Sequence, residues 1–416
     1  MKQNEIKFKE IKEGDYRIYI SHEFITIQHL DYPKVLKIDK VTANVSETDQ
    51  SVISKITVLS VIRPHALLGI IKIEDFSYLM YVATSELIGS INADKEEVFK
   101  VLEVNFIPLQ DEDKHRLSNS NEIENYLNSI KNLLTMGFYY SFKYNLTNSC
   151  QKQSKLKKDS NIWLYDKRYC WNYYLNKKLF EAKVNSIWIT PCIFGYVNIS
   201  TVQLASETVK FVLISRRSNK HAGTRYNTRG IIESGHVANY VETEQILKMR
   251  NNLYSVVILR GSVPIFFEQK PSNLEVSISK NPSMTSEAFQ KHLNLIQQEY
   301  KYVLMMNLMN ESKPEEELIS SNFKNQFSIN ESHNCKYHVF DLHKICKKDS
   351  FGKLEEYIDD KLLKIMENFN FYCESEDKKN NSLQKGVFRI NCLDCLDRTN
   401  IFQSRFCWQI LINQVL

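Results

Sequence analysis

One short segment of the sequence combines residue types that can carry out phosphoryl chemistry, the stretch RINCLDCLDRTN at residues 389–400. Within it, five residues separate Cys392 from Arg398. A loop of this length between a strand and a helix can wrap around a phosphate with its backbone N–H groups pointing inward. The N-terminus of the following helix adds its own N–H donors and the positive end of its dipole. The spacing therefore predicts a phosphate-binding loop.

Two residues of this loop have the chemistry for catalysis. Arg398 can hold two phosphate oxygens with its planar guanidinium. The positive surroundings of such a loop favour the thiolate form of Cys392. A thiolate beneath a bound phosphate can attack phosphorus and form a phosphocysteine, which water then hydrolyses. We expect Cys392 to be the nucleophile and Arg398 the phosphate-binding arginine.

The leaving alkoxide needs a proton, and two aspartates are candidates to supply it. A bound phosphate dianion disfavours a second negative charge and so favours a protonated carboxyl beside it. We favour Asp394 as the acid because its side chain can rise beside the substrate, whereas Asp397 adjoins Arg398 and can fix that side chain. The remaining loop residues are candidates for binding the phosphate: Asn391, Leu393, Cys395, Leu396, Asp397 and Thr399.

Three other interpretations of the segment compete with this one. Cys392 and Cys395 form a Cys-x-x-Cys pair, which can bind zinc or cycle between thiols and a disulfide. Zinc normally requires a second pair of this kind, and the sequence has none, while redox use leaves Arg398 unexplained. A plain structural loop is the third interpretation, because Cys-x5-Arg arises easily by chance.

The composition sets the class of protein in which this loop lies. With 416 residues, 43% hydrophobic and 25% charged, the chain is predicted to be globular and to form two domains, which we place at residues 1–180 and 181–416. The net charge of +5 suits an anionic partner without choosing between nucleic acid, a membrane surface and an acidic metabolite. Nine cysteines, mostly far apart, are expected to be reduced thiols. We find no secretory signal and no apolar run long enough to span a membrane.

Strand patterns dominate the first part of the chain. Runs rich in Val, Ile, Leu and Tyr predict strands at Ile53–Ile62, Leu67–Ile73 and Tyr78–Thr84. Helical spacing of apolar residues predicts a helix over Asn121–Leu134, and a polar stretch predicts a loop over Gln151–Lys158. An apolar strand interrupted by Pro191 is predicted over Trp188–Val197.

Strands and helices alternate in the second part, which predicts an α/β domain. The predicted strands are Phe211–Ser215, Ser255–Leu259, Tyr302–Met309, Tyr337–Leu342 and Val387–Ile390. The predicted helices are Ser286–Tyr300, Leu354–Phe369 and a last one from about Thr399. This arrangement places the Cys-x5-Arg segment between a strand and the final helix.

The segment RINCLDCLDRTN resembles the signature of the Sac-domain phosphoinositide phosphatases. Seven other blocks resemble the family in the family's order, and they are FYYSFKYNLTNS, WLYDKRYCWNYYL, WITPCIFGYV, ISRRSNKHAGTRYNTRG, VANYVETEQI, RGSVPIFFEQ and VFDLHKICK. The resemblance runs from about residue 15 to the end of the sequence. It implies a β-rich Sac N-terminal domain followed by an α/β catalytic domain of the cysteine-phosphatase type.

The resemblance also implies an activity. Members of the family remove phosphate from inositol rings of membrane phosphoinositides without a metal or other cofactor. The sequence is most similar to members that act on phosphatidylinositol monophosphates, chiefly the 4-phosphate with the 3-phosphate as a second candidate, at the cytosolic face of endoplasmic reticulum and Golgi membranes. The family's nucleophile falls on Cys392, its arginine on Arg398 and its proposed acid on Asp394. The expected partners are membrane phosphoinositides, reached by peripheral contact through a basic surface, and not nucleic acid.

The family continues beyond the point at which this sequence ends, with more catalytic-domain sequence and, in the most similar members, two membrane spans. We therefore expect the C-terminal part of the catalytic domain to be missing from this chain. An alternative function follows from that expectation, a phosphoinositide-binding or scaffold protein with impaired turnover.

Two further groups of polar residues have open interpretations. Residues 214–230 hold five cations, which fit a membrane-facing basic patch or an internal network with Glu233, Glu242 and Glu244 equally well. Asp341 and His343 are predicted to share one face of a strand. We favour a hydrogen-bonded pair in the core over a pair that borders the site.

Overall fold

The computed structural model describes residues 14–92, 96–110, 120–156, 164–204, 207–224, 227–270, 275–310, 312–330, 332–346, 352–376, 381–393 and 397–415. The chain forms two compact units. The first unit comprises Met1–Asn148 and Leu156–Asn198, and the second comprises Ser149–Lys155 and Ile199–Leu416. The domain boundary that the sequence predicts near residue 180 stays a prediction.

The first unit is built mainly from antiparallel strands. Its strands are β1 (Tyr16–Ile20), β2 (Phe24–His29), β3 (Lys34–Asp39), β4 (Val45–Asp49), β5 (Ser60–Ile62), β6 (Ala66–Ile73), β7 (Phe76–Ser90), β8 (Glu97–Pro108), β9 (Phe138–Tyr140) and the start of β10 (Cys192–Leu204). Strands β1 to β5 form one sheet in the order β4-β3-β2-β1-β5, and β6 to β10 pair in sequence order. In β1 the alternate residues Tyr16 and Ile18 are buried, as period-2 patterning predicts, whereas β2 and β3 also bury consecutive residues.

Among the described residues, three helices accompany these strands: α1 (Ser120–Leu134), α2 (Cys150–Lys155) and α3 (Lys177–Glu181), of which α2 belongs to the second unit. The prediction of a helix over Asn121–Leu134 is confirmed by α1. The strands predicted at Leu67–Ile73 and Tyr78–Thr84 lie within β6 and β7.

Three predictions in this part were wrong in whole or in part. Only Ser60–Ile62 of the strand predicted over Ile53–Ile62 is a strand, because Asp49 caps a 3₁₀ turn at Gln50–Lys55 by accepting a hydrogen bond from the Ser51 N–H. The loop predicted over Gln151–Lys158 begins with helix α2, and its last two residues lie outside the described residues.

Helix α2 is stabilised by tertiary contacts that its polar sequence does not reveal. The amide of Gln151 exchanges hydrogen bonds with the backbone of Gln384, at 2.7 and 3.1 Å. The strand predicted over Trp188–Val197 instead starts at Cys192, after Pro191, because Trp188 is buried in a 3₁₀ turn and donates to Glu47 Oε1 at 2.7 Å.

The second unit contains a mixed sheet that is parallel at its centre. Its strands are β11 (Glu207–Arg217), β12 (Val241–Met249), β13 (Asn252–Arg260), β14 (Phe267–Gln269), β15 (Val276–Ile278), β16 (Tyr302–Asn307), β17 (Cys335–Val339), β18 (Tyr372–Glu374) and β19 (Gly386–Asn391). Six of them follow the order β17-β16-β19-β13-β12-β11. The β17-β16, β16-β19 and β19-β13 pairs are parallel, whereas β13-β12 and β12-β11 are antiparallel.

Helices cover both faces of this sheet. They are α4 (Pro282–Gln297), α5 (Pro314–Ile329), α6 (Leu342–Ile345), α7 (Gly352–Tyr357), α8 (Leu363–Phe369) and α9 (Asp397–Val415), with a π-helical turn at Ile358–Leu362 between α7 and α8. In β16, Leu304 and Met306 pack with α7, α8 and α9, whereas Val303 and Met305 pack with α4 and α5. Strands buried on both faces are typical of parallel sheets. The predicted α/β class, with α+β character overall, is confirmed.

The element predictions for this unit were mostly correct. The predicted strands at Phe211–Ser215, Ser255–Leu259 and Val387–Ile390 and the three predicted helices match observed elements, and the strand predicted over Tyr302–Met309 ends at Asn307. The strand predicted over Tyr337–Leu342 ends early, at Val339. Asp341 and His343 therefore do not share a strand face, because Asp341 caps α6 by accepting from the Lys344 N–H at 3.0 Å.

Candidate functional site

Strand β19 carries Cys392 to the carboxyl edge of the parallel strands. It lies between β13 and β16, with Ile390 opposite Arg260 and Asn391 opposite Asn307. All six residues of β19 are buried. Carboxyl ends of parallel strands meet at one edge, which is where α/β proteins commonly bind ligands. The segment predicted to bind phosphate therefore starts at a rigid and favourable position.

The two residues after β19 point to opposite faces of the sheet. Cys392 is 1% exposed and belongs to the apolar cluster beneath α7, α8 and α9. Leu393 is half-buried and packs against the other cluster, beneath α4 and α5. The next three residues of the predicted loop, Asp394, Cys395 and Leu396, lie outside the described residues. Their expected roles stay predictions, and so does the zinc or redox interpretation of Cys392 with Cys395.

Helix α9 resumes the loop at its far end. Asp397 is its first residue and is exposed, Arg398 lies in its first turn, and Thr399 is fully buried. The orphan N–H groups and the positive dipole end of a helix thus follow residues 394–396 directly in the sequence. Strand β19 and helix α9 therefore lie on either side of this segment in the sequence, as predicted, and the phosphate-binding loop itself stays a prediction.

The guanidinium of Arg398 is held by groups from the end of β16 and the start of α5. Its Nη1 donates to Glu316 Oε2 at 2.5 Å and to the Leu308 carbonyl at 3.3 Å, and its Nη2 donates to Glu316 Oε1 at 3.0 Å. The side chains of Arg398 and Glu316 are 14% and 6% exposed. A two-point ion pair with this little solvent fixes the guanidinium in one orientation.

The side chain of Asn391 braces the strand ends. Its Nδ2 donates to Asn307 Oδ1 at 2.9 Å, and Asn307 in turn donates to Ser320 Oγ at 2.8 Å and to Tyr337 Oη at 2.9 Å. Asn391 and Asn307 are fully buried. This network ties β19, β16, β17 and α5 together beneath the loop.

A second buried arginine, Arg389, fixes the other side of β19. It is fully buried and donates to the carbonyls of Gly261 and Ser262, while the Gly261 N–H donates to the Ile390 carbonyl at 3.2 Å. A Cβ on Gly261 would lie 2.8 Å from Val237 Cγ2 and 3.4 Å from Arg389 Nη2. A side chain at residue 261 would therefore crowd Val237, whereas its distance from Arg389 would be an ordinary van der Waals contact.

The cations of residues 214–230 are largely engaged inside the second unit. Arg216 is fully buried and pairs with Glu242 Oε1 at 2.8 Å and with Glu244. Arg217 donates to the Gly223 carbonyl at 2.6 Å and to Asn239, and Arg229 donates to Gln269. Arg225 lies outside the described residues. For Arg216 the internal network is the correct interpretation, although Glu233 pairs with Lys280 instead of this block.

A cavity of about 820 Å³ opens in the second unit beside this block. Its lining includes the cationic side chains of Arg229 and Lys280, the imidazole of His221, and the apolar side chains of Phe266 and Phe267. Its wall is joined to the turn after β13, because the Ile231 N–H donates to the Ile265 carbonyl at 3.0 Å and the Gly230 N–H donates to Ser262 Oγ at 2.9 Å.

Sequence reasoning missed Glu316, Asn307 and Arg389 as residues that hold the site. Glu316 stands between two other glutamates in the first turn of α5, where acidic residues are common at any helix N-terminus. Asn307 and Arg389 each lie among apolar residues of a predicted strand. A polar residue in such a strand needs a hydrogen-bond partner when it is buried, and this was the signal that could have identified both.

Among the residues that the structure describes, no group of three or more His, Cys, Asp or Glu side chains is arranged to hold a metal ion. In the same part of the chain, no helix has the length and apolar character needed to cross a membrane.

Comparison with known families gives a match over most of the chain. The SacI homology domain matches residues 65–347. This range includes Arg216 and Glu316 and ends before Cys392, so the expected roles of Cys392 and Arg398 stay predictions.

Individual relatives extend the similarity. The chain is 31% identical over 392 residues to "Phosphatidylinositol-3-phosphatase SAC1-A" of Danio rerio, covering 92% of this chain and 65% of the relative. It is 32% identical to "Phosphatidylinositol-3-phosphatase SAC1" of Drosophila melanogaster, covering 81% and 57%, and 32% identical to human "Synaptojanin-2", covering 80% and 22%. The chain spans less than two thirds of the length of these relatives.

Proposed function

The chain belongs to the SacI homology domain family, and we propose that it is a phosphoinositide phosphatase that hydrolyses phosphate monoesters of phosphatidylinositol phosphates through a phosphocysteine. The observation that carries the proposal is the position of Cys392 and Arg398. The first directly follows β19, and the second lies in the first turn of α9. Strand, five-residue loop and helix N-terminus are the parts needed to hold a phosphate above a thiolate.

The proposed reaction has two steps. In the first, the Cys392 thiolate attacks phosphorus, an S–P bond forms, and the inositol oxygen leaves with the P–O bond pair and takes a proton from Asp394. In the second, water attacks the phosphocysteine, gives its proton to the Asp394 carboxylate, and releases inorganic phosphate and the thiolate. Arg398 and the backbone N–H groups of the loop bind the equatorial oxygens throughout.

The substrate is proposed to be a phosphatidylinositol monophosphate. We favour the 4-phosphate, with the 3-phosphate as the second candidate. The names of two relatives specify the 3-phosphate for those proteins. The proposed site of action is the cytosolic face of endoplasmic reticulum and Golgi membranes, reached by peripheral contact through basic surface residues. Because Arg216 is buried in its ion pairs, that surface has to be formed by other cations, such as Lys220, which is half-buried.

Phosphate release from a panel of short-chain phosphoinositides tests the proposal, with chelator and reductant present. We compare the wild type with Cys392→Ser and use Cys346→Ser as the matched control, since Cys346 is a half-buried free thiol in the same unit. We expect release by the wild type and the control and none by Cys392→Ser. If Cys392→Ser still releases phosphate, the mechanism is wrong. If no variant releases phosphate but the wild type binds the lipids, the chain is a binding or scaffold protein.

A further inference from the structure

The first turns of α5 and α9 are joined by the ion pair of Glu316 and Arg398. Each terminal nitrogen of the guanidinium donates to a different carboxylate oxygen, at 2.5 and 3.0 Å. The Leu308 carbonyl accepts a third hydrogen bond from Nη1 at 3.3 Å. These contacts constrain both the position of the guanidinium and the rotation of its plane.

Glu316 is itself fixed independently of Arg398. Its Oε2 accepts the Asn310 N–H at 2.7 Å, and Asn310 Oδ1 accepts the Ser312 N–H at 2.9 Å. Helix α5 is anchored in the apolar cluster by Ile319 and Phe323, both fully buried. The carboxylate is therefore a rigid support that exists before any ligand arrives.

The position of Glu316 is not explained by the helix dipole alone. Glu315, Glu316 and Glu317 all lie in the first turn of α5, where each is favoured by the positive helix end. Glu315 and Glu317 are exposed, whereas Glu316 is 4% exposed. Burying a carboxylate is costly unless it is paired, and its partner here is the arginine of the predicted loop.

We propose that Glu316 is a positioning residue for the reaction, orienting Arg398 so that the guanidinium is set to bind the phosphoryl oxygens in the transition state. The contacts with Glu316 use Nη1 and Nη2, and a guanidinium has a second two-donor edge, formed by Nε and one Nη, that suits phosphate. This inference rests on the proposed function.

Orientation and charge predict opposite effects on binding and turnover. Removing the carboxylate of Glu316 removes a negative charge near the loop, which by itself favours an anionic substrate. Losing the fixed orientation lowers the rate at saturation, because a misplacement of about 1 Å can reduce a rate by about 100-fold. In Glu316→Gln we therefore expect kcat to fall about 10- to 100-fold while KM stays the same or decreases.

The experiment measures kcat and KM for a short-chain phosphatidylinositol monophosphate in four proteins. They are the wild type, Glu316→Gln, Glu316→Asp and Glu317→Gln, of which the last is a matched control that removes a neighbouring exposed charge from the same helix turn. Glu316→Asp keeps the carboxylate and its charge, so its kcat should lie between that of Glu316→Gln and that of the wild type. Urea unfolding shows that each variant is folded under assay conditions.

The guanidinium of Arg398 is observed directly by ¹⁵N NMR, with Arg398→Lys for assignment. In the wild type and Glu317→Gln, hindered rotation should give separate Nη signals, and in Glu316→Gln these should merge.

The outcomes separate the two proposals. If kcat of Glu316→Gln equals that of Glu317→Gln, Glu316 does not position Arg398 for catalysis, while the proposed function stands. If the wild type releases no phosphate from any lipid, the proposed function fails. The NMR then still decides whether Glu316 orients Arg398, and identical spectra for the wild type and Glu316→Gln would overturn it.

Discussion

Two buried arginine–carboxylate clusters in the second unit have the same chemistry and different settings. Arg216 lies within the sheet, directly opposite Glu242 on the neighbouring strand, and also pairs with Glu244. Arg398 lies at the edge of the sheet and joins the first turns of two helices through Glu316. The first cluster is enclosed by strands that cannot move apart without breaking a ladder. The second adjoins the predicted loop, where an arginine can serve a ligand.

The hydrogen-bond partners of Glu244 also show that the Arg216 cluster is enclosed by secondary structure. Glu244 also accepts the Cys150 N–H at 2.7 Å and the Ser255 hydroxyl at 2.6 Å, so its cluster joins α2, β11, β12 and β13. The comparison teaches that burial of an ion pair does not reveal its role. The role follows from whether the elements around it continue into a site.

Replacing Arg216 should produce the largest change in stability. Arg216→Met leaves the carboxylates of Glu242 and Glu244 buried without their cation, and we expect a loss of about 3–5 kcal/mol in the free energy of unfolding. Urea denaturation measures it, and the folded fraction should keep the wild-type kcat. The triple variant Arg216→Met, Glu242→Gln, Glu244→Gln should regain much of the loss. If it is no more stable than Arg216→Met, the cluster is not held by charge pairing.

Replacing Arg398 should reduce activity more than stability, the reverse of the effect expected for Arg216. In Arg398→Lys we expect kcat/KM for a phosphatidylinositol monophosphate to fall about 100-fold, because an ammonium cannot make a two-point contact with phosphate. Steady-state kinetics and urea unfolding together check this. An activity loss no greater than the loss of folded protein would place Arg398 with Arg216 as a structural cation.

A third buried arginine sharpens the comparison through its neighbour His292. Burial, followed by the charge of Arg389, lowers the pKa of His292 well below its usual value, and its Nδ1 lies 2.9 Å from the Gly235 carbonyl. Below about pH 6.5 the unfolded chain gains a proton at this residue and the folded chain does not. The contribution of His292 to stability is therefore complete above that pH and decreases below it, by at most about 1.4 kcal/mol per pH unit.

Urea unfolding at about pH 7.5 and about pH 5.5 tests this linkage. His292→Asn retains a donor for the Gly235 carbonyl and removes the titration, so it should lose less stability on acidification than the wild type. Equal losses in the two proteins would show that His292 is not excluded from protonation.

The smallest effect is expected for the exposed ion pair on α9. Arg405 and Glu355 are 3.1 Å apart, with side chains 41% and 37% exposed. In Glu355→Gln we expect less than about 1 kcal/mol change in unfolding free energy and no change in kcat. Glu355 lies on α7 and pairs with Arg405 of α9, so this variant is a control for disturbance of the helix that carries Arg398. An activity loss in it would indicate that any disturbance of α9 impairs the site.

Sequence reasoning succeeded where a local pattern determines the structure. The spacing of Cys392 and Arg398 predicted a strand before the loop and a helix after it, and β19 and α9 occupy those positions. Apolar periodicity likewise predicted α1, α4 and β16, because burial on one or two faces leaves a regular pattern in the chain.

Sequence reasoning failed where the structure depends on a contact with a residue far away in the sequence. Nothing local distinguishes Glu316 from Glu315 and Glu317, since only the fold brings it to Arg398. Helix α2 was missed for the same reason, because its contact with Gln384 joins residues far apart in sequence. The orientation of Arg398 was likewise beyond reach, whereas its position in the loop was not.

Trapping the covalent intermediate tests the central claim most directly. The wild type is mixed with a short-chain phosphatidylinositol monophosphate, quenched with acid during turnover, digested and analysed by mass spectrometry with fragmentation. We predict a phosphate group on the sulfur of Cys392. Phosphate on Cys395 or on another residue, or turnover with no covalent phosphate at Cys392 even on rapid quenching, would contradict the account.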